Sequence, residues 1–176
     1  MWHMLGRYDL YDIPLFSQID PRWRNVKLGF SSNLTIGSHG CVVCGLAMLL
    51  RGIGYDVDPT KVNEDMRKAK AFMTGTGRAI WARVTDAYPL LKYIYQVFYD
   101  RRSADIKFIG NIADILPVLT EIILPDGNIH WVLSVRRDVN GLLVHDPLYP
   151  PALQKRDYLH ALRPNSRIRR IVVYSL

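Results

Sequence analysis

The run CVVCGLAMLLR, from Cys41 to Arg51, constrains this chain more than any other stretch. It is apolar nearly all round, so as a helix it has no face to offer to water and belongs in the middle of a domain. Gly37-Ser38-His39-Gly40 lead into it, and Gly52 and Gly54 stop it. Its apolar part ends at Leu50, about half of the roughly 20 residues that a bilayer-crossing helix needs. The rest of the chain must therefore fold around it. With 176 residues there is chain enough for one compact domain, expected over residues 1–176, and hardly enough for two. Hydrophobic residues at 49%, charged residues at 22% and a mean hydropathy of −0.01 exclude a disordered chain, a collagen and a coiled coil. Only 2 cysteines exclude a disulfide scaffold. The opening stretch MWHMLGRYDLYD lacks the charged-then-apolar layout of a signal peptide, so a soluble protein without membrane insertion is expected.

Helical signals come early and strand signals late. The first forty residues are rich in turn formers (Pro14, Pro21, Gly29, Ser31-Ser32-Asn33, Gly37, Gly40) and read as an ordered loop. Leu15, Phe16, Trp23, Leu28 and Phe30 give that loop reason to wrap a core. A second helix is expected after Asp58-Pro59-Thr60, with Asp58 or Thr60 capping it, and a third over Arg78 to Tyr88. Strands are expected at Tyr93–Tyr99, Pro117–Leu124, His130–Arg136, Gly141–Val144 and Arg169–Tyr174, with a short helix over Asn111 to Leu116. Asn140-Gly141 between two strand-like runs predicts a hairpin. Helices first and antiparallel strands afterwards predict an α+β domain.

Cys41 is the residue to single out for chemistry. At a helix N-terminus a thiol faces unpaired backbone N–H groups and the positive end of the macrodipole, and both favour the nucleophilic thiolate. Gly40 would let a substrate backbone approach closely. A cysteine in an apolar helix is also a common structural filler, and Cys44 is read as that. The pair makes a C-x-x-C, but a Gly/Ser loop precedes it instead of a strand, and the histidines are scattered singly. Neither a redox dithiol nor a zinc site is favoured, and nothing calls for a cofactor or metal.

The second half supplies candidate partners. His130 opens HWVLSV directly after the turn Pro125-Asp126-Gly127-Asn128, where a ring can reach a cleft; it could equally be a satisfied or exposed histidine. Asp146, in VHDPLY, lies on the other arm of the hairpin, and a turn near Asp138–Asn140 would bring it beside His130. It could then accept a hydrogen bond from the ring and support imidazolium, or serve only as a turn initiator before Pro147. His145 should face away from Asp146, and His39 merely neighbours Cys41. Gln18, in PLFSQIDPRW, is a candidate oxyanion donor or an exposed loop glutamine.

The net charge of +7 and pI near 9.5 suggest a partner of negative character. Basic residues gather late, at Lys155, Arg156, Arg163, Arg167, Arg169 and Arg170. They could attract nucleic acid, cell-wall polymer or an acidic protein, but the favoured reading is a solvated strand edge that discourages edge-to-edge pairing. Nucleic acid is possible and not favoured, since no aromatic residues are interleaved to stack bases.

Taken together, IPLFSQIDPRW, LG followed by TIGSHGC, the helix with Ala47-Met48, Asp58-Pro59 with Val62-Asn63, Pro117-Val118, His130-Trp131-Val132 and Asp146-Pro147 resemble one family in its own order. It is the bacteriocin-processing-peptidase-like (double-glycine leader peptidase-like) branch of the papain-fold cysteine peptidases, and the resemblance covers nearly the whole chain. It implies a papain-like fold, with a helical part packed against an antiparallel sheet and the cleft between them. It implies Cys41 as nucleophile, His130 as general base and acid, Asp146 orienting the histidine and Gln18 contributing to the oxyanion hole. The expected activity is thiol-dependent hydrolysis of a peptide or amide bond. Peptidoglycan stem peptides are the alternative substrate, and a catalytically silent binding or virion component is the alternative role. Stand-alone members of the branch occur in bacteria and their phages, so a cytoplasmic or phage-associated setting is expected. His39 before Gly40-Cys41 and the stretch from Gly75 to Tyr99 depart from the pattern, and the family's leader-cutting members carry a transporter segment that is absent here.

Overall fold

The computed structural model describes residues 13–99, 103–150 and 156–176; Lys155 and the opening MWHMLGRYDLYD lie outside the described residues. Residues 13–35 form the expected ordered loop, followed by α1 (Ile36–His39) and α2 (Cys41–Gly52). All side chains of α2 from Val43 to Leu50 are buried, as its apolar circumference demands. Gly45 is where the helix comes closest to the sheet: a Cβ there would lie 2.8 Å from a Leu119 methyl. Helix α3 (Pro59–Lys68) is capped by the Asp58 carboxylate, which accepts from the Lys61 amide at 2.8 Å. Helix α4 spans Trp81–Ala87, starting later than the expected Arg78 because Ala79 is held in an extended bridge with Phe72.

The second half alternates strands with short helices. In chain order these are β1 (Lys92–Phe98), α5 (Ile106–Ala113), β2 (Val118–Ile123), β3 (Ile129–Asp138), β4 (Gly141–His145), β5 (Arg156–Tyr158), α6 (Leu159–Leu162) and β6 (Arg167–Ser175). Helix α5 lies upstream of the expected Asn111–Leu116 because Asp105 caps it, accepting from the Phe108 amide at 2.9 Å. The strands make one antiparallel sheet in the order β1-β6-β2-β3-β4-β5. The protein is thus α+β.

Both faces of the sheet are covered. On one, α1 to α4 pack against Leu119, Trp131, Leu133, Val135, Val172 and Tyr174. On the other, α5 and α6 pack against Val118, Ile122, Val132, Leu142, Val144, Ile168 and Ile171. This second helical layer was not expected from the sequence.

Of the late basic residues, Arg156 lies on the edge strand β5, but Arg167, Arg169 and Arg170 do not decorate an edge. Strand β6 lies inside the sheet, between β1 and β2, and its Arg169 and Arg170 meet the buried carboxylate of Glu121 on β2. Arg170 donates to Glu121 at 2.8 and 3.0 Å, and Arg169 does so at 3.1 Å. The Arg170 guanidinium also lies 4.9 Å from the centre of the Trp131 ring and 5.2 Å from that of Phe98. Removing the carboxylate takes away the anion that these two cations share, leaving Arg170 its bond to Gln96. Glu121→Ala should therefore cost roughly 3 kcal/mol, the lower end for breaking a buried pair. Urea unfolding checks this, and an unchanged midpoint would contradict it.

Candidate active site

Cys41 is the first residue of α2, half-buried, directly behind the turn made by α1. Thr35 caps α1 in a reciprocal box with Ser38, so this turn is closed upon itself and delivers the chain to α2 through Gly40. Gly40 is demanded by that junction: a Cβ would stand 2.4 Å from the Ile36 carbonyl oxygen. The junction thus gives Gly40 an internal steric reason to be small. No side chain caps α2 at its start, so Cys41 adjoins backbone N–H groups that no side chain has claimed. Both cysteines are free thiols. Cys44, one turn on, is fully buried, and burial together with the neighbouring Cys41 pushes its pKa well up, leaving it an inert core thiol.

His130 stands one residue into β3, and the β3–β4 hairpin, paired from Asp138–Gly141 to Leu133–His145, carries Asp146 back to it. The ring Nε2 lies 2.7 Å from Asp146 Oδ1, with both side chains almost wholly buried. Nδ1 is the nitrogen left for the thiol. Burial alone would lower the His130 pKa, but the hydrogen bond to the Asp146 carboxylate, with Cys41 acting in the same direction, outweighs it and raises the value to about 9. Asp146 is held in the opposite sense. Burial would raise its pKa, but the His130 contacts, Arg163 and the Leu148 amide bring it down to about 2. The pair is therefore imidazolium and carboxylate at neutral pH.

Arg163 is the member that sequence reading did not place at the site. It follows α6 and donates from Nε to Asp146 Oδ2 at 2.5 Å, while Oδ1 also accepts from the Leu148 amide at 2.9 Å. In sequence it is one of the late basic residues, and no local signal in Leu162-Arg163-Pro164 ties it to an aspartate 17 positions earlier.

Gln18 is buried, not an exposed loop residue. Its backbone N–H donates to the Pro147 carbonyl at 2.8 Å, and its side-chain Nε2 donates to the Gly37 carbonyl at 3.0 Å. It thus links the turn that leads to Cys41 with the segment that follows Asp146. The loop is folded for this: Trp23 donates from Nε1 to the Ser17 carbonyl at 2.7 Å and stacks edge-on with Phe16. Farther along, Asn63 on α3 bonds the Gly29 amide and the Lys27 carbonyl. One Nε2 proton of Gln18 is used by Gly37, leaving the other as a donor. His145 turns away from Asp146 and accepts from Arg156 Nε at 2.6 Å, with burial and that cation lowering its pKa to about 3. His39 is exposed on α1. Among the described residues no cluster of His, Cys, Asp and Glu could hold a metal ion.

The linkage between these charges and stability has a definite sign. Below about pH 6.5 the histidine is protonated in folded and unfolded chains alike, and the pair contributes fully. Between 6.5 and 9 only the folded chain keeps the proton, so the contribution declines and is gone above about 9. On the acid side it weakens below 3.8 and vanishes near 2. An NMR titration should find the His130 midpoint near 9, and Asp146→Asn should lower it by removing the main opposition to burial. A midpoint that stays put in the variant would contradict this.

No family model matches the chain, and no curated protein does. Among solved structures, a crystal structure of a Bacillus anthracis protein described as a C39-like peptidase aligns with a TM-score of 0.53 and 15% identity. The alignment covers 96% of this chain and 98% of that one. Likeness at that identity speaks for the fold alone: the chain has the α+β fold that the C39-like peptidase structure has.

Proposed function

We propose that the protein is a thiol-dependent peptidase with Cys41 as nucleophile. The observation that carries this reading is the buried pair of His130 Nε2 and Asp146 Oδ1, 2.7 Å apart, together with a free Cys41 at the start of α2. In the proposed reaction Cys41 Sγ attacks the carbonyl carbon of a peptide bond. The Cys41 N–H and the remaining Nε2 proton of Gln18 stabilise the oxyanion. His130 gives its Nδ1 proton to the leaving amine as the C–N bond breaks, forming a thioester. It then takes a proton from the water that attacks the thioester, and the acid product leaves as the thiolate is restored. Asp146 holds the ring by Nε2 throughout.

The fold shared with the Bacillus anthracis protein supports a peptidase, and the order of motifs from the Gln18 loop to Asp146-Pro147 supports the bacteriocin-processing-peptidase-like branch. Peptides are the substrate class we favour over peptidoglycan. The case for an anionic wall polymer rested on the basic residues, and Arg163, Arg169 and Arg170 are engaged by Asp146 and Glu121.

Assays on a peptide library should show turnover that Cys41→Ala reduces to background. Cys44→Ala should remain active and lose only about 1–2 kcal/mol of stability through core packing. A folded Cys44→Ala protein without activity, or an active Cys41→Ala protein, would overturn the assignment.

A further inference from the structure

Arg163 has a second side. Its Nε is committed to Asp146, and its guanidinium lies 5.0 Å from the centre of the Tyr149 ring. Among the described residues, neither Nη1 nor Nη2 has a hydrogen-bond partner, although only 19% of the side chain is exposed. Neither Nη atom is sealed away from solvent without a partner, so this edge of the fork is open to an acceptor.

The same residue forms part of the wall of a cavity of about 630 Å³ on the α5–α6 side of the sheet. That size suits a small organic ligand. Leu142, Leu159 and Ile168 give the cavity an apolar lining, Ser166 adds a hydroxyl, Arg167 adds a second guanidinium, and no Asp or Glu is among the described residues that line it. The Asp146 carboxylate beside it is shared between the His130 ring and Arg163.

We infer that this cavity binds a small carboxylate carried on an apolar body, with the Nη pair of Arg163 holding the carboxylate side by side and the Leu142–Leu159–Ile168 lining holding the body. A planar carboxylate matches the two parallel N–H groups of a guanidinium edge. Arg163 then serves two carboxylates at once, Asp146 through Nε and the ligand through the Nη edge. The site is separate from the scissile-bond chemistry and meets it at one residue. It goes beyond the peptidase reading, since binding here does not pass through Cys41.

The test uses the full chain and two matched probes, 4-phenylbutyrate and its neutral amide 4-phenylbutyramide, titrated by calorimetry and by NMR of the Leu and Ile methyls. The acid should bind saturably and at least tenfold more tightly than the amide, with shifts at Leu142, Leu159 and Ile168. A hydrophobic tripeptide with a free C-terminus, set against its amidated form, should show the same preference if the natural carboxylate belongs to a peptide; a preference confined to phenylbutyrate assigns it to a small acid. Arg163→Met should abolish the difference between acid and amide. Because that variant also removes a contact to Asp146 and could unfold, the acid–amide comparison on the unaltered chain decides the matter alone. Equal affinity for acid and amide, no binding of either, or shifts elsewhere on the protein would overturn the proposal. Loss of peptidase activity in every assay, with acid-selective binding intact, would sink the peptidase reading and leave this one standing.

Discussion

The buried carboxylate of Asp146 is the interaction on which the site depends. It accepts from the His130 ring, the Arg163 guanidinium and the Leu148 amide, so its burial is compensated on both oxygens. A carboxylate so satisfied stays ionised, and an ionised neighbour is what keeps a buried imidazole charged against its own desolvation. Each contact comes from a different part of the late chain: β3, the turn after β4, and the segment after α6. The site's electrostatics are therefore a product of the sheet's closure.

The other half of the site is delivered by the loop and α2. A helix buried on every side can be seated in only one way, and Gly45 sets how near it lies to Leu119. Its N-terminus is then fixed, and so is Cys41. The loop before it adds Gln18, fastened to Gly37 on one side and Pro147 on the other. The second of these bonds joins the early and late halves of the chain. Packing supplies the position and polar bonds supply the direction, a division found wherever a reactive group must be held by rigid elements.

Much of this was legible in the sequence because it rests on local chemistry. The start of α2, the Asp58 cap and the hairpin at Asn140-Gly141 are each written in adjacent residues. The juxtaposition of His130 and Asp146 followed from the hairpin. What escaped was long-range. Arg170 finds Glu121 at a separation of 49 positions, and a run of arginines looks alike whether it faces water or a buried carboxylate. Glu121 itself carried a usable signal, since a lone Glu within the apolar run VLTEII has to find a cation. Strand β5 and helix α6 are too short, three and four residues, for any periodicity to declare them, and with α6 went the place of Arg163.

The central claim is that one of two cysteines, three positions apart in sequence, is a nucleophile because of what surrounds it. Incubation at neutral pH with a peptidyl vinyl sulfone, followed by mass-spectrometric mapping of the adduct, tests it most directly. A single adduct on Cys41, lost when His130 is replaced by alanine in a folded protein, is the result this account predicts. Labelling of Cys44 at a comparable rate, or of Cys41 with the same rate in the absence of His130, would contradict it.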